Sequence, residues 1–100
     1  MLQAFTHEVD VVLMPTSSVP PFQFGAFAMN KLQMDLQDYF TCPANLVGIP
    51  AISVPAGFTK ADLPIGMQLM TKHLEDELLL CVAHAYEQKT EWHMQRPKGY

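Results

Sequence analysis

One hundred residues, 49% of them hydrophobic and 16% charged, describe one globular domain or a piece of one and exclude a disordered chain. The net charge of −4, with six scattered basic residues, argues against direct nucleic-acid binding, which needs clustered Lys and Arg. No run of about 18 apolar residues marks a membrane span, and no basic region followed by an apolar core marks a secretory signal. The apolar share is high for a chain that buries only a modest fraction of its surface, so part of that area is expected to meet a partner segment.

Residues 1–8 begin without an N-cap, yet Leu2, Phe5 and Val9 have helical spacing. They predict the last turns of a helix, with Met1 an internal or artificial start. Residues 10–14 follow as an apolar run stopped by Pro15, which predicts a strand covered on both faces, as in parallel or mixed sheets. Residues 15–25 are a loop broken by Pro20, Pro21 and Gly25, with Phe22, Phe24 and Phe27 expected to tuck against the body. Ser17 and Ser18 lack a glycine-flanked elbow and are expected to serve as turn-forming hydroxyls, not nucleophiles. Leu32, Leu36 and Phe40 recur at i, i+4, i+8, which predicts a short helix or turn leading into Asp38.

Residues 38–57 carry three prolines, at 43, 50 and 55, and the composition changes between them. Pro43 suits a first helical turn, and Gly48 followed by Pro50 reads as a stop. Ala51 to Val54 reads as a short buried strand. Residues 57–62 separate it from a second apolar run, 65–70, so the two predict an antiparallel pair, with Pro64 at the first position of the second strand. The final helix is predicted over about 75–90. Leu74, Leu78, Val82 and Tyr86 recur every four residues there, and Leu79, Ala83 and Ala85 widen the stripe. Glu75, Asp76 and Glu77 near its start and Lys89 near its end suit the helix dipole. The tail has no periodicity and is expected to be mobile.

Cys42 and Cys81 have no metal spacing and are expected to be buried thiols in a reducing compartment. The four histidines share no i, i+4 face, so no metal site is expected; His73 is the one placed to touch a neighbouring segment. Asp38 stands out by position, just ahead of the Pro43 helix in apolar surroundings. Spacing alone leaves open a turn aspartate or a carboxylate facing a ligand ammonium group.

The run from Tyr39 to Gly57, with Leu63-Pro64-Ile65-Gly66-Met67-Gln68-Leu69-Met70 and Val82-Ala83-His84-Ala85-Tyr86-Glu87-Gln88, resembles the amidase signature family. Within it the likeness is to the C-terminal part of the amidase subunits of tRNA-dependent amidotransferases. Asp10 to Thr16 resembles the strand and turn that precede this region. The likeness spans nearly the whole chain and is weakest at 22–36 and in the last ten residues. It implies an α/β fold, an α/β/α sandwich with a mixed central sheet, of which residues 1–100 form a partial, C-terminal portion.

The family's chemistry is acyl transfer by a serine, a second serine with a cis peptide, and a lysine. In the amidotransferases, glutamine is hydrolysed and ammonia passes to a partner subunit, where ATP and Mg act; no cofactor is implied for this chain. The chain departs from the pattern decisively. It has no Gly-Gly pair, and Lys31, Lys60, Lys72, Lys89 and Lys98 lack the family's lysine context, so no catalytic residue is assigned and the chain alone is expected to be inactive. The arginine that would hold the glutamine carboxylate also lies upstream in the family.

One functional residue carries over: Asp38 matches the aspartate that binds the α-amino group of glutamine. Thr41, Pro43, Asn45 and Pro50 match as well and are expected to shape the turn, Asn45 by bonding backbone and the prolines by fixing φ. The implied partners are the upstream part of the same subunit, the other amidotransferase subunits and glutamine, in the cytoplasm or an organelle matrix. Two other readings stand beside this one: a family member that hydrolyses a small amide, and a non-catalytic remnant with a binding or structural role.

Overall fold

The computed structural model describes residues 8–26 and 29–99. Three strands, β1 (Val11–Pro15), β2 (Ala51–Phe58) and β3 (Pro64–Thr71), form one sheet with β3 in the middle. Both pairings are antiparallel, with Met14 and Ser53 flanking Gln68, and Val12 and Ala51 flanking Met70. Helices α1 (Lys31–Leu36) and α2 (Cys42–Val47) precede β2, and α3 (Asp76–Lys89) follows β3; a 3-10 turn, Trp92–Met94, closes the described chain.

Alternation along the strands divides the side chains into two sets. On one face Met70 packs with Ala44 of α2 and Ile49, and Val12 and Met14 of β1 press against them. On the other, Val54 and Leu69 pack with Leu79 and Ala83 of α3, joined by Val11, Ile52, Met67, Val82 and Tyr86. A helix on each face makes an α/β/α arrangement, so the α/β expectation holds. In this stretch the sheet is antiparallel; the mixed character expected of the whole sandwich has no parallel pairing among the described residues.

Local chemistry accounts for the elements around β2. Pro43 lies in the first turn of α2, and Gly48 ends it with φ 80° and ψ 38°, a left-handed conformation that a side chain would strain. The Gly48 and Ile49 amides both donate to Ala44 O, at 2.9 and 3.2 Å, and His73 Nδ1 lies 3.1 Å from Gly48 O, the contact expected of that histidine. Pro55 is tolerated inside β2 because the strand has no second neighbour among the described residues, and the register shifts between Pro55 and Gly57. β2 therefore runs four residues beyond the predicted strand, to Phe58.

Several expectations are corrected. β1 is antiparallel and its cover is partial: Val12 and Met14 pack on the α2 face and Val11 on the α3 face, but Leu13 is 62% exposed. The apolar stripe of α3 is Leu79, Val82, Ala83 and Tyr86. Leu74 precedes the helix with φ 65° and stands exposed, because the left-handed turn there takes it out of the helical row. The start of the tail is anchored: the Trp92 ring meets Phe58 edge to face at 6.1 Å and lies over Gly57. Phe24 stands in solvent, and both cysteines are exposed free thiols, since Cys42 opens a short surface helix and Cys81 lies off the buried stripe of α3. Phe27 and most of the predicted N-terminal helix, residues 1–7, lie outside the described residues.

Candidate functional site

Asp38 occupies the turn between α1 and α2, with its side chain exposed. Its backbone is tightly tied. Asp38 N donates to Asp35 O at 3.2 Å, and Asp38 O accepts from the Thr41 and Cys42 amides at 3.1 and 3.0 Å. Thr41 Oγ1 also donates to Asp38 O at 3.4 Å, and Asn45 Nδ2 donates to Thr41 O at 3.3 Å, the backbone bond expected of Asn45. Thr41, Pro43 and Asn45 thus gather around the start of α2 with Asp38. Pro50 does not: it sits at the entry to β2, beyond the far end of α2, where its carbonyl accepts from Thr71 N at 3.2 Å. The Asp38 carboxylate has no hydrogen-bond or ion-pair partner among the described residues.

Beneath this turn runs a polar row to which the sequence alone assigns no role. Gln68, 4% exposed in the middle of β3, donates from Nε2 to Phe40 O at 2.7 Å. Its cross-strand neighbour Ser53 shares a hydrogen bond of 2.7 Å with Thr16, across the top of Gly66. Thr16, Ser53 and Gly66 line one end of an open cleft of about 450 Å³, whose other wall is the 15–22 loop, Phe22 included. Asp38 does not line that cleft; Gln68 stands between the two. The signal in the sequence is a polar residue interrupting each apolar run, Ser53 within 51–54 and Gln68 within 65–70.

The loop serines have structural partners. Ser17 Oγ accepts from Val19 N at 3.4 Å, a local turn, whereas Ser18 Oγ donates to Leu36 O at 2.9 Å and ties the loop to the end of α1. Among the described residues no three His, Cys, Asp or Glu side chains come together as a metal site would require, and no helix is long and apolar enough to cross a membrane.

The sequence model of the family described as Amidase matches residues 1–80. This chain belongs to the amidase family. Its relatives narrow the likeness. The A subunit of glutamyl-tRNA(Gln) amidotransferase from Picosynechococcus sp. is 49% identical over 96 residues, which is 96% of this amidase chain and 20% of the relative. The crystal structure of the corresponding Thermotoga maritima protein, also the A subunit of a glutamyl-tRNA(Gln) amidotransferase, superposes with a TM-score of 0.82 at 38% identity, over 89% of this chain and 19% of that one. The structure of 6-aminohexanoate cyclic dimer hydrolase superposes with a TM-score of 0.79 at 31% identity, over 96% of this chain and 22% of that one. The amidase chain thus spans about a fifth of the length of the proteins it matches.

Proposed function

We propose that this chain forms the C-terminal segment of the glutamine-hydrolysing amidase subunit of a tRNA-dependent amidotransferase. In this reading Asp38 binds the α-amino group of glutamine, and Thr41, Pro43, Asn45 and Pro50 shape the segment that presents it. The supporting observation is a carboxylate without an internal partner on a backbone held by four hydrogen bonds. Such a group is fixed in place and available to an ammonium ion. The likeness to the Picosynechococcus and Thermotoga amidotransferase proteins supports the substrate class. The serine, its lysine and the opposite wall of the pocket would come from the rest of the subunit. The exposed Leu32, Met34, Leu36 and Leu46 on α1 and α2 suit coverage by it. Ammonia would pass to a partner subunit that uses ATP and Mg, in the cytoplasm or an organelle matrix.

The test is a hybrid subunit in which residues 1–100 replace the matching segment of the Picosynechococcus relative. Asp38→Ala should raise the glutamine KM about tenfold or more, with kcat and folding little changed. An unchanged KM would return Asp38 to a turn-forming role. The superposition on 6-aminohexanoate cyclic dimer hydrolase favours a second reading, hydrolysis of a small amide without partner subunits. That reading predicts turnover of neutral amides that is indifferent to Asp38→Ala.

A further inference from the structure

We infer that Gln68 is a positioning residue that sets the turn carrying Asp38 against the sheet; this rests on the reading of Asp38 proposed above. Gln68 and Thr71 are the buried polar side chains among the described residues, and they are used differently. Thr71 Oγ1 donates to Glu75 O four residues away, a local tie at the end of β3. Gln68 Nε2 reaches back 28 residues to Phe40 O. A buried amide costs free energy unless it is bonded, and its neighbours Met67 and Leu69 fill their places in β3 with apolar groups. What the amide adds is the bond to Phe40.

That bond has no substitute nearby. The remaining backbone bonds of residues 37–41 run to α1, to one another or into α2: Tyr39 N to Leu36 O, Thr41 N to Asp38 O, Cys42 N to Asp38 O. Among the described residues, Gln68 makes the hydrogen bond that joins this turn to the sheet. The anchor point, Phe40 O, is two residues from Asp38, and Met70 next along the same face of β3 seats α2 through Ala44 and Ile49. Met70 holds the helix down, and Gln68 fixes where the turn before it stands.

In the hybrid subunit, four proteins decide the matter: unsubstituted, Gln68→Met, Asp38→Ala, and both together. Methionine keeps length and burial and removes the donor. Gln68→Met should raise the glutamine KM about five- to tenfold with kcat within about twofold, and should change KM by less than about twofold once Asp38 is alanine. Equal multiplication of KM in both backgrounds, or a loss confined to kcat, overturns the inference. So does an unchanged KM in Gln68→Met when Asp38→Ala raises it, which leaves the reading of Asp38 standing. An unchanged KM in Asp38→Ala removes that reading, and the role of Gln68 with it. Should Gln68→Met not fold, NMR of the unsubstituted 100-residue chain decides. The Gln68 Nε2 protons should exchange with solvent slowly, and exchange as fast as that of a surface glutamine overturns the inference.

Discussion

Gly66→Ala probes the hydroxyl bridge at the floor of the cleft. An ideal Cβ on Gly66 would lie 3.1 Å from Ser53 Oγ, 3.2 Å from Thr16 Oγ1 and 3.5 Å from Thr16 Cβ, so both oxygens must retreat to reach ordinary contact at 3.4 Å. They are bonded to each other at 2.7 Å, and Thr16 is β-branched and stiff, so Ser53 should rotate away and break the bridge. That loss is worth about 0.5–1.5 kcal/mol. Gly66 is outside the left-handed region, so alanine adopts its backbone without strain and returns about 0.4–1 kcal/mol by restricting the unfolded chain. In the single variant the two nearly cancel. With Ser53→Ala already present, the nearer obstacle and the bridge are both gone, and only the Thr16 Oγ1 contact at 3.2 Å, now free to relax, stands against the gain. The coupling between the two sites is then about 1 kcal/mol, read as a Tm difference of about 4–8 °C for a chain of this size. Thermal melts of the four proteins, followed by circular dichroism, measure it. Shifts that add to within about 1 °C would show that the bridge does not sit over Gly66.

Two further substitutions or probes test the packing. Met70 is fully buried beneath α2, so Met70→Ala should cost about 2–5 kcal/mol of the roughly 5–15 available to a domain of this length, lowering the urea midpoint steeply. A loss below about 1 kcal/mol would mean that α2 does not pack on β3 as described. Cys42 and Cys81 should both react with a thiol reagent in the native chain without denaturant; a thiol that needs unfolding to react would contradict its exposure.

The elements legible in the sequence are those whose causes are local. Pro43 and Gly48 bracket α2 because each acts on its own φ, and the acidic start and Lys89 end of α3 act within one turn. The β2–β3 pair was legible because its connection is short. What was not legible depends on distant partners. The apolar run of β1 reads alike whether its faces are covered fully or in part, and only its place beside β3 leaves Leu13 exposed among the described residues. Trp92 looked unordered because its partners, Gly57 and Phe58, lie 34 and more residues upstream. At the site, Asp38, Thr41 and Asn45 are neighbours in sequence and could be grouped by motif. Gln68 could not, since its bond to Phe40 spans 28 residues, across α2, β2 and the turn into β3.

The two faces of the sheet are built for different tasks, and this places the site. On the α3 side the contacts are apolar from Val11 to Val54, and the polar tie there, Tyr86 Oη donating to Pro55 O at 2.9 Å, closes the rim at the bulge. On the α2 side apolar contacts stop at Met70 and Met14; from Gln68 and Ser53 onward the row turns polar and opens into the cleft. A face that is partly polar is a poor place to bury another helix, because each hydroxyl would need a partner there. It is a suitable place to hold a turn through a single buried amide. Asp38, exposed and tied to that row through Phe40 O, stays outside the cleft, with Gln68 between them.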